Sequence, residues 1–191
     1  MSDTGRQGRV HVICGPMFAG KTARLIERLH AAQQQGRSVV AFKHADDVRY
    51  SPGALATHDR RRFAAVPVRD VETIRQRVGS AEVVAIDEGQ FFGPALVELC
   101  RELRAAGRTV IVAGIDYNAW GQPFEPMPQL KAVADEVEVL TIPCTVCGRP
   151  ARFSQRMSPP EGRDMVGGPG QYEPRCERCF EPLDARRYPP R

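Results

Sequence analysis

"RVHVICGPMFAGKTARLIERL", residues 9–29, sets a glycine loop between a run rich in β-branched residues and a run with helical spacing. Arg9 to Cys14 reads as a strand that enters the loop directly. Leu25, Ile26 and Leu29 fall on one face of a helix, and Gly36 ends it. Between the two, Gly15, Gly20, Lys21 and Thr22 complete the pattern G-x-x-x-x-G-K-[ST]. Placement gives this short string its meaning, because a strand must deliver the loop and a helix must leave it. Glycines then let the backbone wrap an anion, while N–H groups and the helix N-terminus point at it. The lysine reaches the β and γ oxygens of a nucleoside triphosphate, and the threonine hydroxyl reaches Mg2+. Gly15, Pro16, Met17, Phe18, Ala19, Gly20, Lys21 and Thr22 are therefore the expected phosphate cradle.

Outward from the loop, strands and helices alternate. "SVVAF" (38–42) is a strand, and "DVETIRQRV" a helix with Asp70 as N-cap and Glu72 in its first turn. "EVVAID" (82–87) is an apolar run ending in an acid, as expected of a strand buried on both faces. Pro94 opens the helix "PALVELCRELRAA", and Gly107 closes it. "TVIVAGID" (109–116) is another buried strand, "QLKAVAD" a short helix, and "EVEVLTI" (136–142) a further strand. This alternation predicts an α/β fold over residues 1–142, a parallel sheet flanked by helices and built around the phosphate loop. From Pro143 to Arg191 periodicity fades and Pro, Gly and Cys accumulate, marking a second, smaller unit. Its end, "EPLDARRYPPR", carries Pro182, Pro189 and Pro190 and reads as a frayed tail.

Asp87 closes the apolar run at 82–87, where a second acid would help hold Mg2+. Glu88 follows, within "DEGQFF". A glutamate there either polarises water in an ATPase or takes a proton from an alcohol in a kinase, and paired acids alone do not separate the two. Phe91 and Phe92 tilt the reading toward a flat organic acceptor, because aromatic faces beside a catalytic acid suit such a molecule better than water.

Four cysteines of the second unit form two C-x-x-C pairs, Cys144 with Cys147 and Cys176 with Cys179. Four thiolates suit tetrahedral Zn2+, which would fold a segment too small for its own core and leave no open position for chemistry. The 28 residues between Cys147 and Cys176 exceed ordinary ribbon spacing, so the metal would tie the base of a long loop. Cys14 and Cys100 lie on apolar faces and read as inert core thiols. The net charge of +4 fits an anionic ligand but lacks the concentrated stripe of a nucleic-acid binder. The densest run, Arg60 to Arg62, reads as a solvated face. No apolar run approaches a membrane span, and the N-terminus lacks a signal-peptide stretch, so the expected location is cytoplasmic, with no membrane partner.

Taken in order, "GPMFAGKT", "DDVRYS…THD", "DEGQFF", "AGRTVIVAGID…GQPF", the two cysteine pairs and "VGGPGQY" resemble the zinc-containing cytosolic thymidine kinases, from about residue 9 to residue 179. The resemblance implies transfer of the γ-phosphoryl group of ATP, with Mg2+, to the 5′-hydroxyl of thymidine, giving dTMP and ADP for nucleotide salvage. It implies Glu88 as general base, Thr22 and Asp87 at Mg2+, and Arg49 and Gln90 among the groups around the ATP phosphates. It places Met17, Phe91, Ile115, Phe124, Ser154, Val166, Gly167, Gly168 and Tyr172 in the nucleoside pocket. A lid from about Phe153 to Tyr172 would close over the base, its ends anchored by the zinc. A homotetramer and inhibition by dTTP are implied as well.

Three positions depart from the family pattern. Ala119 stands where an aromatic is usual, with Trp120 beside it; Ser154 replaces a common threonine near the thymine methyl; Ala23 replaces an acid after the loop. The first two predict a looser preference between thymidine and deoxyuridine, since a methyl-sized difference is worth about 1–3 kcal/mol. The alternative is a P-loop ATPase whose zinc unit binds nucleic acid or a protein partner. It predicts water as acceptor at Glu88 and a basic zinc unit, but Glu161, Asp164, Glu173, Glu177 and Glu181 dilute the arginines there.

Overall fold

The computed structural model describes residues 7–45, 53–56, 61–158 and 170–189. Its centre is a six-stranded sheet in which every neighbouring pair is parallel. The strands are β1 (Arg9–Cys14), β2 (Val39–His44), β5 (Val66–Val68), β6 (Val83–Asp87), β7 (Thr109–Gly114) and β8 (Glu136–Val139). They lie in the order β5-β2-β6-β7-β1-β8. A short antiparallel pair, β3 (Ala54–Ala56) and β4 (Arg62–Ala64), stands outside the sheet.

Alternation along each strand sends its residues to two different cores. Val10, Val12, Val84, Ile86, Val110 and Val112 meet α2 (Val71–Arg77), α3 (Ala95–Ala105) and α4 (Met127–Val133). Ile13, Ala41, Val83, Ala85, Ile111 and Ala113 meet α1 (Lys21–Gln34), with Leu55 and Phe63 of the short pair. With both faces covered, β6 is buried at every position, as its unbroken apolar run requires. The helix at 71–77 starts as its sequence dictates, with Thr73 N–H donating to Asp70 Oδ1 at 2.7 Å.

Boundaries differ where tertiary pairing outweighs local pattern. β2 runs on through Lys43 and His44 because its pairing with β6 continues to Asp87, which buries a lysine that composition would place outside. β7 stops at Gly114 instead of Asp116, at the point where β1 beside it turns into the phosphate loop. The helix at 127–133 begins two residues before Gln129, since Pro128 fits a first helical turn. The expected strand 136–142 divides: Glu136–Val139 pairs with β1, whereas β9 (Ile142–Pro143) leaves the sheet to pair with β10 (Pro150–Ala151). The three-residue strands β3, β4 and β5 escape any periodicity argument, and Pro67 is tolerated because β5 is an edge.

The C-terminal region is built from the β9–β10 hairpin and an antiparallel pair, β11 (Phe153–Arg156) and β12 (Tyr172–Arg175). Its own core is small: Cys144, Ala151 and Cys176, with Ile142 and Cys179 against them. Residues 181–189, expected from the sequence to be a frayed tail, make several hydrogen bonds in this structure. Asp184 starts a turn, accepting from Arg186 N–H through its carboxylate and from Arg187 and Tyr188 N–H through its carbonyl. Leu183 N–H and the Trp120 indole then tie the segment to the main fold.

Candidate active site

The sequence-predicted residues gather at the carboxyl ends of β1, β6 and β7. From β1 the chain enters the phosphate loop, and Gly20 is the N-cap of α1, contributing no side-chain cap. Lys21 Nζ donates to Pro16 O at 2.7 Å, spanning the loop. Thr22 Oγ1 donates to Asp87 Oδ2 at 2.9 Å, so the hydroxyl and the carboxylate expected at one cation converge across the sheet. Asp87 ends β6, whereas Thr22 follows β1 through the loop into the first turn of α1, and β7 lies between those two strands.

Glu88 sits one residue beyond β6 at φ 54°, ψ 44°, a left-handed conformation uncommon for a glutamate. The conformation is held: Glu88 N–H donates to Asp87 Oδ1 at 3.0 Å, and Glu88 O accepts from Phe91 N–H at 3.0 Å. Strain of this kind, about 1–3 kcal/mol, survives where the surroundings overdetermine it, and it clusters at functional positions. The residue is 7% exposed, and its carboxylate accepts from Gln90 Nε2 at 2.6 Å.

Gln90 thus stands on Glu88, and its other end, Oε1, accepts from Ile115 N–H at 3.1 Å. It reaches that amide over the end of β7 because Gly114 has no side chain there. A Cβ on Gly114 would lie 2.9 Å from Gln90 Oε1 and 2.5 Å from Met127 Sδ. Gln90 therefore braces the acid against two strand ends. Replacing it with leucine removes both hydrogen bonds at once, and a bond to a charged group is worth about 1.5–3 kcal/mol. We expect Gln90→Leu to lower kcat about 10- to 100-fold with little change in ATP KM, read from initial rates; an unchanged kcat would show that Glu88 needs no brace.

Apolar wall residues form two groups. Met17, Ala119 and Tyr172 are buried together, with Ile115, Trp120 and Leu183 packed against them. Phe91 meets Phe124 edge-on at 6.2 Å between centroids and His44 at 5.5 Å, while Phe92 goes into the core beneath. Ile115 links the groups, its side chain in the first and its amide on Gln90. Ser154 is 4% exposed, and its Oγ accepts from Met17 N–H at 2.9 Å, which fastens β11 to the phosphate loop. Tyr172 is held from behind by Arg156, whose Nη1 donates to its hydroxyl at 2.9 Å. Arg49, Val166, Gly167 and Gly168 lie outside the described residues, as does most of the expected lid.

Two contributors escaped the sequence reading. Gly114 was legible only as part of a strand. Asp116, 2% exposed, draws Lys131 Nζ to 3.3 Å and Arg152 Nη2 to 3.7 Å, while its carbonyl accepts from Phe124 N–H at 2.8 Å. The available signal was its likeness to Asp87, an acid ending an apolar run.

The Sγ atoms of Cys144, Cys147, Cys176 and Cys179 all lie within 4.8 Å of one another, Cys147 and Cys176 at 3.5 Å. Zn–S bonds of about 2.3 Å put tetrahedral sulfurs about 3.8 Å apart, so this donor set fits Zn2+. Desolvation pushes the Cys144 thiol up, but N–H groups of Cys176, Val146 and Cys147 outweigh it and bring it to about 6. Cys176 is likewise lowered, desolvation opposing but the Cys147 side chain and the N–H groups of Arg178 and Cys179 prevailing. Cys179 is pushed up to about 12, first by the Cys147 side chain. Cys14 and Cys100 are also pushed up to about 12, mainly by burial, and both are fully buried.

A phosphate loop at the end of an interior parallel strand, an acid pair at the end of another and an aromatic wall beside them define a nucleotide-binding α/β protein of the P-loop type. Comparison with known proteins narrows this class. The family model described as thymidine kinase matches residues 8–180. The thymidine kinase of Rhodothermus sp. (strain ITI 518) is 48% identical over 178 residues, covering 93% of this chain and 84% of that protein. That of Bacteroides fragilis (strain YCH46) is 40% identical over 181 residues, covering 95% and 91%. The thymidine kinase of Bdellovibrio bacteriovorus (strain ATCC 15356 / DSM 50701 / NCIMB 9529 / HD100) is 42% identical over 177 residues, covering 92% and 87%. The chain belongs to the thymidine kinase family.

Proposed function

We propose that this chain transfers the γ-phosphoryl group of ATP to the 5′-hydroxyl of thymidine, with Glu88 as the base that takes the hydroxyl proton. The observation that carries the reading is the junction of Thr22 with Asp87, which sets the phosphate loop one residue away from the buried Glu88 carboxylate. Phosphoryl transfer needs alignment and charge neutralisation more than covalent chemistry, so position is most of what the protein supplies. Lys21 would meet the β and γ oxygens, and Arg49 would add a second cation. The Thr22 hydroxyl and Asp87 carboxylate are hard oxygen donors that suit Mg2+. Held there, Mg2+ would supply positive charge to offset what develops on the transferred phosphoryl group.

An alcohol acceptor for Glu88 is supported by two apolar groups: Phe91 with Phe124, and Met17 with Ile115 and Tyr172. Val166, Gly167 and Gly168 would complete the closure over the base. The engaged Ser154 hydroxyl and the small Ala119 side chain support weak discrimination at the thymine methyl. In the same reading residues 1–142 carry catalysis, and residues 143–191 form a zinc-stapled lid unit. The enzyme works in the cytoplasm as a homotetramer, held back by dTTP. Among the described residues no helix is long and apolar enough to cross a membrane. Exposed Val137 and Val139 on the edge strand β8 support association between chains. The ATPase alternative is not favoured, because family membership extends through both cysteine pairs.

The test is ATP consumption with Mg2+ and thymidine, deoxyuridine, deoxycytidine, deoxyguanosine or no acceptor. We expect consumption only with the pyrimidines thymidine and deoxyuridine, yielding 5′-monophosphates, with a thymidine preference nearer the lower end of the roughly 10- to 200-fold that one methyl commands. Consumption without a nucleoside would overturn the kinase reading.

A further inference from the structure

The segment after the second cysteine pair is attached to the molecule at four separate places. The Gln155 side-chain amide pairs with the backbone of Glu181 in both directions, Nε2 to the carbonyl at 2.7 Å and Oε1 from the N–H at 2.7 Å. The Phe180 ring stacks on Phe153 at 4.5 Å and lies over Gly121, where a Cβ would come within 2.9 Å of it; Gly121 also holds φ at 74°. Leu183 N–H donates to Ala119 O at 3.0 Å. Trp120 Nε1 donates to Tyr188 O at 2.6 Å. The last three all fall on one loop, residues 119–121, between the end of β7 and Phe124.

That loop carries Ala119, buried with Met17 and Tyr172, and Leu183 and Trp120 pack onto the same cluster from outside. An alanine side chain leaves a wall thin, and the apolar volume behind it is supplied here by the neighbouring indole and by a leucine from the C-terminal segment.

We propose that residues 181–189 form a strap that sets the nucleoside pocket wall, with Leu183 and Trp120 as positioning residues for Ala119, Met17 and Tyr172. The proposal rests on the reading of those three residues as the thymidine wall. A segment that merely stabilised the fold would affect both substrates alike. A strap seated behind this wall affects the nucleoside and spares ATP, whose phosphates are held from the other side of the loop by Gly20, Lys21 and Thr22.

The experiment uses the full-length zinc-loaded protein, a chain ending at Phe180, and the variants Leu183→Ala and Leu183→Met. KM for thymidine, KM for ATP and kcat are measured for each. Trp120 is the sole tryptophan, so its emission reports directly whether the strap is seated. We expect Leu183→Ala and the shortened chain to raise thymidine KM about 10-fold, the low end for a pocket contact. ATP KM should stay within about twofold, and Leu183→Met should restore both the KM and the emission. The shortened chain should shift Trp120 emission to the red. Unchanged thymidine KM in both altered chains overturns the strap, as does an equal rise in both KM values. Should the full-length protein phosphorylate no nucleoside, the kinase reading falls and the strap falls with it. An active full-length enzyme with unaltered variants removes the strap alone.

Discussion

Glu88→Gln lowers kcat for thymidine phosphorylation about 10²- to 10⁴-fold, the range that a positioned general base contributes. The substitution is close to isosteric. A glutamine carbonyl at the same place still accepts from Gln90 Nε2, which lies 2.6 Å from Glu88 Oε2 in the parent chain. The backbone bonds that hold φ at 54° involve Glu88 N–H and O, and they do not depend on its side chain. What is lost is the capacity to take a proton. The expected result is therefore a fall in kcat with KM for both substrates within a few-fold and an unchanged melting temperature, measured by initial rates and calorimetry. A variant that keeps its kcat would mean that the 5′-hydroxyl loses its proton elsewhere. One that loses nucleoside-independent ATP hydrolysis instead would mark Glu88 as a residue that orients water.

The second large effect concerns the metal. Structural zinc supplies about 10–16 kcal/mol of apparent binding energy in isolated finger peptides, and a unit this small has little else. Its core is two small or half-buried apolar side chains beside the cysteines themselves. Cys176→Ser should reduce zinc content from one ion per chain to a small fraction, measured by elemental analysis. Loss of amide protection should follow in β11 and β12, measured by hydrogen exchange. Because Ser154 on β11 holds Met17 N–H and Tyr172 begins β12, the damage should reach the nucleoside wall. Thymidine KM should then rise more than about 10-fold, while the main sheet keeps its protection. A zinc-free variant with intact protection and unaltered KM would show the cysteines to be dispensable to the fold.

Chemistry in this protein was largely legible along the chain, because it depends on local spacing. G-x-x-x-x-G-K-T sits between strand and helix because the loop must leave one and enter the other, and both are visible as runs of apolar residues. Asp87 and Glu88 announce themselves by ending such a run. The cysteine pairs are legible because each knuckle is local, although the convergence of two knuckles separated by 28 residues had to be inferred from the valence of zinc.

Distances across the sheet were not legible in the same way. No spacing along the chain says that β7 lies between β1 and β6, and hence that Thr22 meets Asp87 over the end of a strand finished by Gly114. Gln90 illustrates the limit: its position next to Glu88 was visible, but not that its amide joins Glu88 to the Ile115 N–H at the end of another strand. Lys43 and the three-residue strands show the same thing for the fold, since a partner strand can impose pairing on residues whose own preference is neutral or opposed.

The C-terminal segment separates the two kinds of information most clearly. By composition, "EPLDARRYPPR" has too little apolar surface to fold alone, and that reading of its intrinsic preference stands. Over 181–189 it meets partners that the fold brings to it: Gln155 from β11, Ala119 and Trp120 from the loop after β7. The amino-acid sequence by itself determined the parallel α/β class, the phosphate loop, the acid pair and the two cysteine pairs, since each is set by residues close together in the chain. Only the tertiary structure decided which side chains face one another across strand ends and what lies behind the pocket wall, because those contacts join residues up to 137 apart that no local spacing relates.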